Sequence, residues 1–230
     1  MSDARQPRPP QPPWQPLPER FIGAWRRASL ALPIHGGEPF ERQRVLWLQA
    51  GSAFADVRLP LDPADGDPQA APVSFAGVTT WDGSSLCWHR DLDLHRVTDA
   101  DKGAITWEGD AMIETGSFTF GGELQPYREV WVREDPVVSP RLALRSTDGT
   151  ARLVRVGDHA ITVADEREGD GWYRACCRSR TSQGWTVTMA LGEAADRLPE
   201  PPEADPGTPT AGSTIRYGDR VWVVEEHTPA

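Results

Sequence analysis

From Phe21 onward the chain is written in short runs rich in Val, Ile, Trp and Thr, and this grammar constrains the fold more than any other feature. The runs are separated by turn signals at Gly36-Gly37, Asp82-Gly83, Gly109-Asp110, Gly121-Gly122 and Asp148-Gly149. Such pairs accept the positive φ of tight reversals, so each predicts a junction between antiparallel strands. No stretch keeps a helical period over three or four turns. The segment "EAADRLPE", Glu193 to Glu200, predicts at most a short helix stopped by Pro199. The expected class is all-β.

A faint internal repeat organises these runs. "QAGSAFADVRLP" (Gln49 to Pro60) resembles "RVGDHAITVADE" (Arg155 to Glu166), "SLCWHRDLDL" (Ser85 to Leu94) resembles "SQGWTVTMAL" (Ser182 to Leu191), and "YREVWVRED" (Tyr127 to Asp135) resembles "GDRVWVVEE" (Gly218 to Glu226). The order of the pairs is preserved, which predicts two β units, 19–136 and 137–230, the second a shortened copy of the first. The acidic, proline-rich "RLPEPPEADPGTPTAG" (Arg197 to Gly212) is expected as a loop inside the second unit. Residues 1–18 carry prolines and little to bury, and are expected to be a disordered, extended tail.

Charge narrows the partners. The chain has 24 Lys and Arg against 34 Asp and Glu, a net charge of −10, which repels nucleic-acid phosphates and anionic lipid. No apolar run is long enough to span a membrane and the N-terminus lacks the apolar core of a secretory signal, so the expected location is cytoplasmic. Cys87, Cys176 and Cys177 make no disulfide framework and read as reduced structural thiols. A monomer or homodimer is expected.

The string Phe21-Ile-Gly-Ala-Trp25 at the head of the strand series resembles the first-strand signature of lipocalin-like barrels, the calycin group. That resemblance implies a barrel closed at one end by Trp25, with a basic residue near the last strand, Arg133 or Arg128, lying over the indole. "FADVRLP", "SFAGVTTW", "WHRDLD", "MIETG" and "YREVWVRED" further resemble successive strands of the fungal family of two-barrel proteins known for association with casein kinase 1. The resemblance implies two tandem lipocalin-like barrels and carries no catalytic residues.

Candidate chemistry follows from alternation, because side chains two apart on a strand share a face. "CWHRDLDLHR" puts Cys87, His89, Asp91, Asp93 and His95 on one face and Trp88, Arg90, Leu92, Leu94 and Arg96 on the other. If the polar face looks inward, His89 and Asp91 form an acid/base or metal-holding pair; if outward, Trp88 is core. "FADVRLP" puts Asp56 and Arg58 on one face, a pair suited to a polar ligand head group or to a plain ion pair. Glu114 shares a face with Met112, and Glu129, Trp131 and Arg133 share another. A carboxylate buried in an apolar barrel has a raised pKa and can act as a general acid or base.

Ten tryptophans supply core filling or a flat surface for an aromatic ligand. No cofactor motif is present, and haem, by analogy with the haem-binding nitrobindins, needs an axial ligand from His35, His89, His95, His159 or His227, none of which stands in a selecting motif. The hydrolase elbow, the zinc-protease helix, the phosphate loop and the dinucleotide fingerprint are all absent. The leading expectation is a protein binding a small, mostly apolar or aromatic molecule in the first barrel. Asp56, Arg58, Trp88, Asp91, Trp131 and Arg133 are its expected ligand contacts and His89 and Glu114 its candidate catalytic groups. The alternatives are an enzyme of small-molecule metabolism (isomerisation, cyclisation or dehydration) and an interaction scaffold with filled barrels.

Overall fold

The computed structural model describes residues 16–63, 70–97, 100–169, 171–202 and 210–229. The proline-rich stretch 1–15 lies outside the described residues. The first eight strands are β1 (Gly23–Ala31), β2 (Gln43–Ala50), β3 (Ala53–Pro60), β4 (Val73–Trp81), β5 (Ser85–Asp93), β6 (Asp101–Glu108), β7 (Ala111–Phe120) and β8 (Glu123–Asp135). They close in chain order into an antiparallel barrel, β8 returning to pair with β1. The turn signals fall at its reversals: Gly109 takes φ +60° between β6 and β7, and Gly121 and Gly122 take +62° and +85° between β7 and β8.

Seven more strands follow: β9 (Arg141–Ser146), β10 (Ala151–Val156), β11 (His159–Asp165), β12 (Tyr173–Thr181), β13 (Gly184–Leu191), β14 (Thr214–Tyr217) and β15 (Arg220–Thr228). They form one sheet in the order β13-β12-β11-β10-β9-β15-β14. A second closed barrel was the expectation, and the sheet differs from it in one place. β9 to β13 repeat the order of β1 to β5, and β14 and β15 that of β7 and β8, so among the described residues β6 has no counterpart. Between β13 and β14 the chain instead makes a 3-10 turn at Ala195–Arg197 and a proline-rich segment. Pro199, Pro201 and Pro202 have no N–H to give a ladder, so residues 199–202 add no strand to the sheet.

The two units share a core. Leu46, Leu48, Ala53, Ala55, Val57, Ala76 and Leu92 on the barrel's outer face pack against Val154, Val156, Ile161, Val163, Ala175 and Cys177 of the sheet. The alanines let the layers approach closely. Polar groups pin the contact: the Tyr173 hydroxyl donates to the Ser74 carbonyl at 2.8 Å, and buried Arg152 donates to Asp91 at 2.6 Å and to Glu225 at 2.5 Å. No helix among the described residues is long and apolar enough to cross a membrane.

Candidate functional site

One end of the barrel is plugged. Trp25, wholly buried, donates from Nε1 to the Phe21 carbonyl at 2.8 Å and stacks on Trp47 at 6.1 Å. The Arg133 guanidinium lies 4.4 Å from the centroid of the Trp25 ring and donates to the carbonyls of Ile22 and Arg20. A cation over an indole face adds about 0.5–2 kcal/mol to such a floor. Of the two basic residues expected there, Arg133 occupies the place, while Arg128 pairs with Glu108 at 3.0 Å. Arg133 therefore closes the barrel and does not line the cavity, which corrects the expectation that it contacts a ligand.

The opposite end holds a cavity of about 730 Å³ lined by the far ends of the barrel strands. Its wall is apolar at Leu30, Leu32, Ile34, Ala71, Val73 and Phe118, and polar deeper in, at Arg27, Arg58, Glu114, Tyr127 and Glu129. Beneath the polar layer a void of about 10 Å³ lies among Trp47, Asp56, Trp88 and Trp131, touching Arg58, Asp101 and Glu114 as well.

The polar layer is a network of inward-facing side chains. Arg27, 4% exposed, donates to Glu129 at 2.6 Å, to Glu41 at 2.7 Å and to Gln43 at 2.9 Å. Arg58 forks onto Asp56 at 3.1 and 3.0 Å and reaches Glu129 at 3.4 Å. Burial works hardest against both guanidinium charges, but the carboxylates together, Glu129 and Glu41 at Arg27 and Asp56 and Glu129 at Arg58, outweigh it and push both pKa values up. Asp56 itself is raised by burial, with Arg58 opposing.

Glu114 differs from the other carboxyls, because its oxygens are held by neutral donors. Trp131 Nε1 donates to it at 3.0 Å, and Tyr127 shares a 2.7 Å hydrogen bond with it. Burial first, then the charges of Glu129 and Asp101, push the Glu114 carboxyl up to about 8; burial and Glu114 push the Tyr127 hydroxyl up as well. Two strand glycines make room for the pair. A Cβ on Gly103 would stand 2.5 Å from Glu114 Cγ, and one on Gly116 would stand 2.5 Å from the Tyr127 hydroxyl. Glycine inside a strand otherwise weakens it and marks close approach.

The sign of the pH dependence follows. Glu114 binds its proton more tightly folded, at about 8, than unfolded, near 4.5. The stability this contributes is present below pH 4.5 and is lost as pH rises through 8. Glu114→Gln accepts from Trp131 through its oxygen, donates to the Tyr127 oxygen through its amide and removes the titration. Chemical denaturation from pH 5 to 8 should show wild-type stability falling relative to this variant; parallel profiles would contradict the shift.

Of the residues singled out from sequence, Asp56, Arg58, Trp88, Glu114 and Trp131 converge at the floor of the cavity. His89 and Asp91 do not. β4 and β5 slip register at Ala76/Gly77, so that Gly77 pairs with Arg90 and Ala76 with Leu92, leaving Asp91 as an extra residue. His89 sits outside the barrel against Thr80 Oγ1 at 3.1 Å, with burial lowering its pKa, and Asp91 meets Arg152 of β10. They form no acid/base pair at the cavity. His35 and His95 line the cavity mouth. Among the described residues no three His, Cys, Asp or Glu side chains are grouped to hold a metal ion. Sequence reasoning passed over Arg27, Gln43 and Tyr127, although Tyr127 stands two residues before Glu129 on the same inward face.

A closed antiparallel barrel with an aromatic floor, a polar layer and an apolar mouth defines a β-barrel protein with an internal cup. Residues 25–226 match the family described as Protein HRI1, and the chain belongs to that family. The crystal structure of the uncharacterised Saccharomyces cerevisiae protein YLR301w is similar in fold: TM-score 0.68 and 17% identity, over 89% of this chain and 98% of that one. No curated protein sequence matches the chain.

Proposed function

We propose that the first barrel is a lipocalin-like, calycin-type cup that binds a small, mostly apolar or aromatic molecule, in a protein of the cytoplasm. The observation that carries this reading is the cavity of about 730 Å³, within the range of small-molecule sites and built as they are, apolar walls with a few convergent polar groups. The Arg133 and Trp25 contact supports the calycin comparison, and the free Cys87, Cys176 and Cys177 support the location. A cavity of this size favours binding over a scaffold with a filled barrel. The fluorescent apolar probe N-phenyl-1-naphthylamine should bind the wild type, and Ala71→Trp, which projects an indole into the cavity wall, should weaken it at least about tenfold. Equal binding by both proteins would place the probe elsewhere and remove the support.

One observation favours a second reading. A Glu114 carboxyl kept protonated near neutrality beside the Tyr127 hydroxyl is a proton donor facing a cavity, the arrangement acid catalysis of isomerisation or dehydration needs.

A further inference from the structure

The charges inside the barrel are unbalanced, and the imbalance bears on what the cup accepts. Three guanidinium groups stand in and around the polar layer, and each is already held by two carboxylates: Arg27 by Glu41 and Glu129, Arg58 by Asp56 and Glu129, Arg90 by Asp93 and Asp101. An incoming carboxylate would have to displace a resident one from every arginine it approached. Glu114 makes a sixth carboxyl, and its hydrogen bonds come from Trp131 and Tyr127 and not from a guanidinium. The remaining basic side chains near the mouth, Arg42, His35 and His95, are exposed to solvent, where any field they carry is screened.

A second observation points to a ligand independently of the carboxylates. Trp47 is 1% exposed, and its Nε1–H has no acceptor among the described residues. It lines the void of about 10 Å³ below Glu114 and Asp101, room for a single oxygen atom. A buried donor without a partner costs about 1–3 kcal/mol, which a water or hydroxyl carried in over the floor recovers.

We infer that the occupant of the cup is an organic cation, an alkyl- or arylammonium. Its charged end meets the Asp101 and Glu129 carboxylates and the Glu114 carboxyl, which gives its proton up to solvent as the cation arrives, with an oxygen of the ligand's hydration shell or of its own hydroxyl taking the Trp47 donor. Its apolar body lies along Leu30, Leu32, Ile34, Val73 and Phe118. The inference rests on the proposal that the cup binds small molecules, and it excludes fatty acids and other carboxylates as preferred ligands.

Octylammonium, 1-octanol and octanoate share one chain and differ in charge, so their competition against N-phenyl-1-naphthylamine in the full-length protein tests the inference. Octylammonium should displace the probe at least about tenfold more tightly than octanoate, with octanol between them. In Glu114→Gln the advantage of octylammonium over octanol should shrink several-fold, a ratio of two ligands read in one protein that a misfolded variant would not produce. Octanoate or octanol binding as tightly as octylammonium would overturn the cation inference and leave the cup intact. Failure of the probe and all three competitors to bind would overturn both.

Discussion

Replacing Trp25 with alanine should cost about 3–5 kcal/mol of stability, among the largest effects available to a single side chain in this barrel. The indole is wholly buried and touches Trp47 and Trp107 at ring distances of 6.1 and 6.0 Å. Its removal opens a void, strips the Phe21 carbonyl of its donor and leaves Arg133 over an empty floor. For a chain of this size the loss corresponds to a fall of about 10 °C in Tm. Trp25→Phe keeps most of the packing but not the hydrogen bond, and should cost about 1–2 kcal/mol. Urea denaturation of both variants checks the pair of values. A Trp25→Ala protein as stable as wild type would mean that the barrel closes without its plug.

Arg152→Ala should be nearly as damaging, for a different reason. Arg152 is 1% exposed and lies where the sheet meets the barrel, bridging Asp91 of β5 and Glu225 of β15. Deleting it leaves Asp91 facing Glu225 without its guanidinium, while Glu225 keeps Arg145 at 3.1 Å. Asp91 keeps solvent on one side, its side chain being 38% exposed, so the cost belongs at the low end for a broken buried pair, about 3 kcal/mol. A double variant, Asp91→Asn with Arg152→Ala, should recover part of the loss because one stranded charge is gone. Calorimetry on the wild type, Asp91→Asn, Arg152→Ala and the double variant reads the coupling, and strict additivity of the two substitutions would show that the bridge does not act as a unit.

What could be read ahead of the structure was whatever depends on alternation and turn chemistry. The glycine pairs mark the reversals, and the strand "FADVRLP" keeps an unbroken period of two, so Phe54 and Asp56 face the interior and Arg58 the cavity as that period requires. Trp25 and Arg133 meet as the calycin resemblance implied. What failed depends on register between strands, to which a single strand is blind. In β5 alternation alone puts Leu86, Trp88 and Arg90 inside and His89 and Asp91 outside, the outward alternative, while the slip at Ala76/Gly77 then turns Leu92 outward and Asp93 in toward Arg90 and Phe75. The open second sheet has a related cause, since the repeat revealed a shortened copy but not which strand was lost. The Arg27, Glu41 and Glu129 network was equally hidden, because Arg27 and Glu129 lie 102 residues apart and meet only where β8 closes on β1. Gly103 and Gly116 were the one local trace of the Glu114 and Tyr127 pair, two glycines inside strands where a β-former would serve stability better.

The central claim, that the first barrel holds a small molecule in its open end, is tested most directly by locating a bound probe in amide-resolved NMR spectra of the full chain titrated with octylammonium. The account predicts saturable shifts confined to Leu30, Gln43, Arg58, Val73, Glu114, Phe118 and Tyr127, the residues around the cavity, and their loss in Ala71→Trp. Shifts scattered over β9 to β15, or none at millimolar ligand, would contradict it.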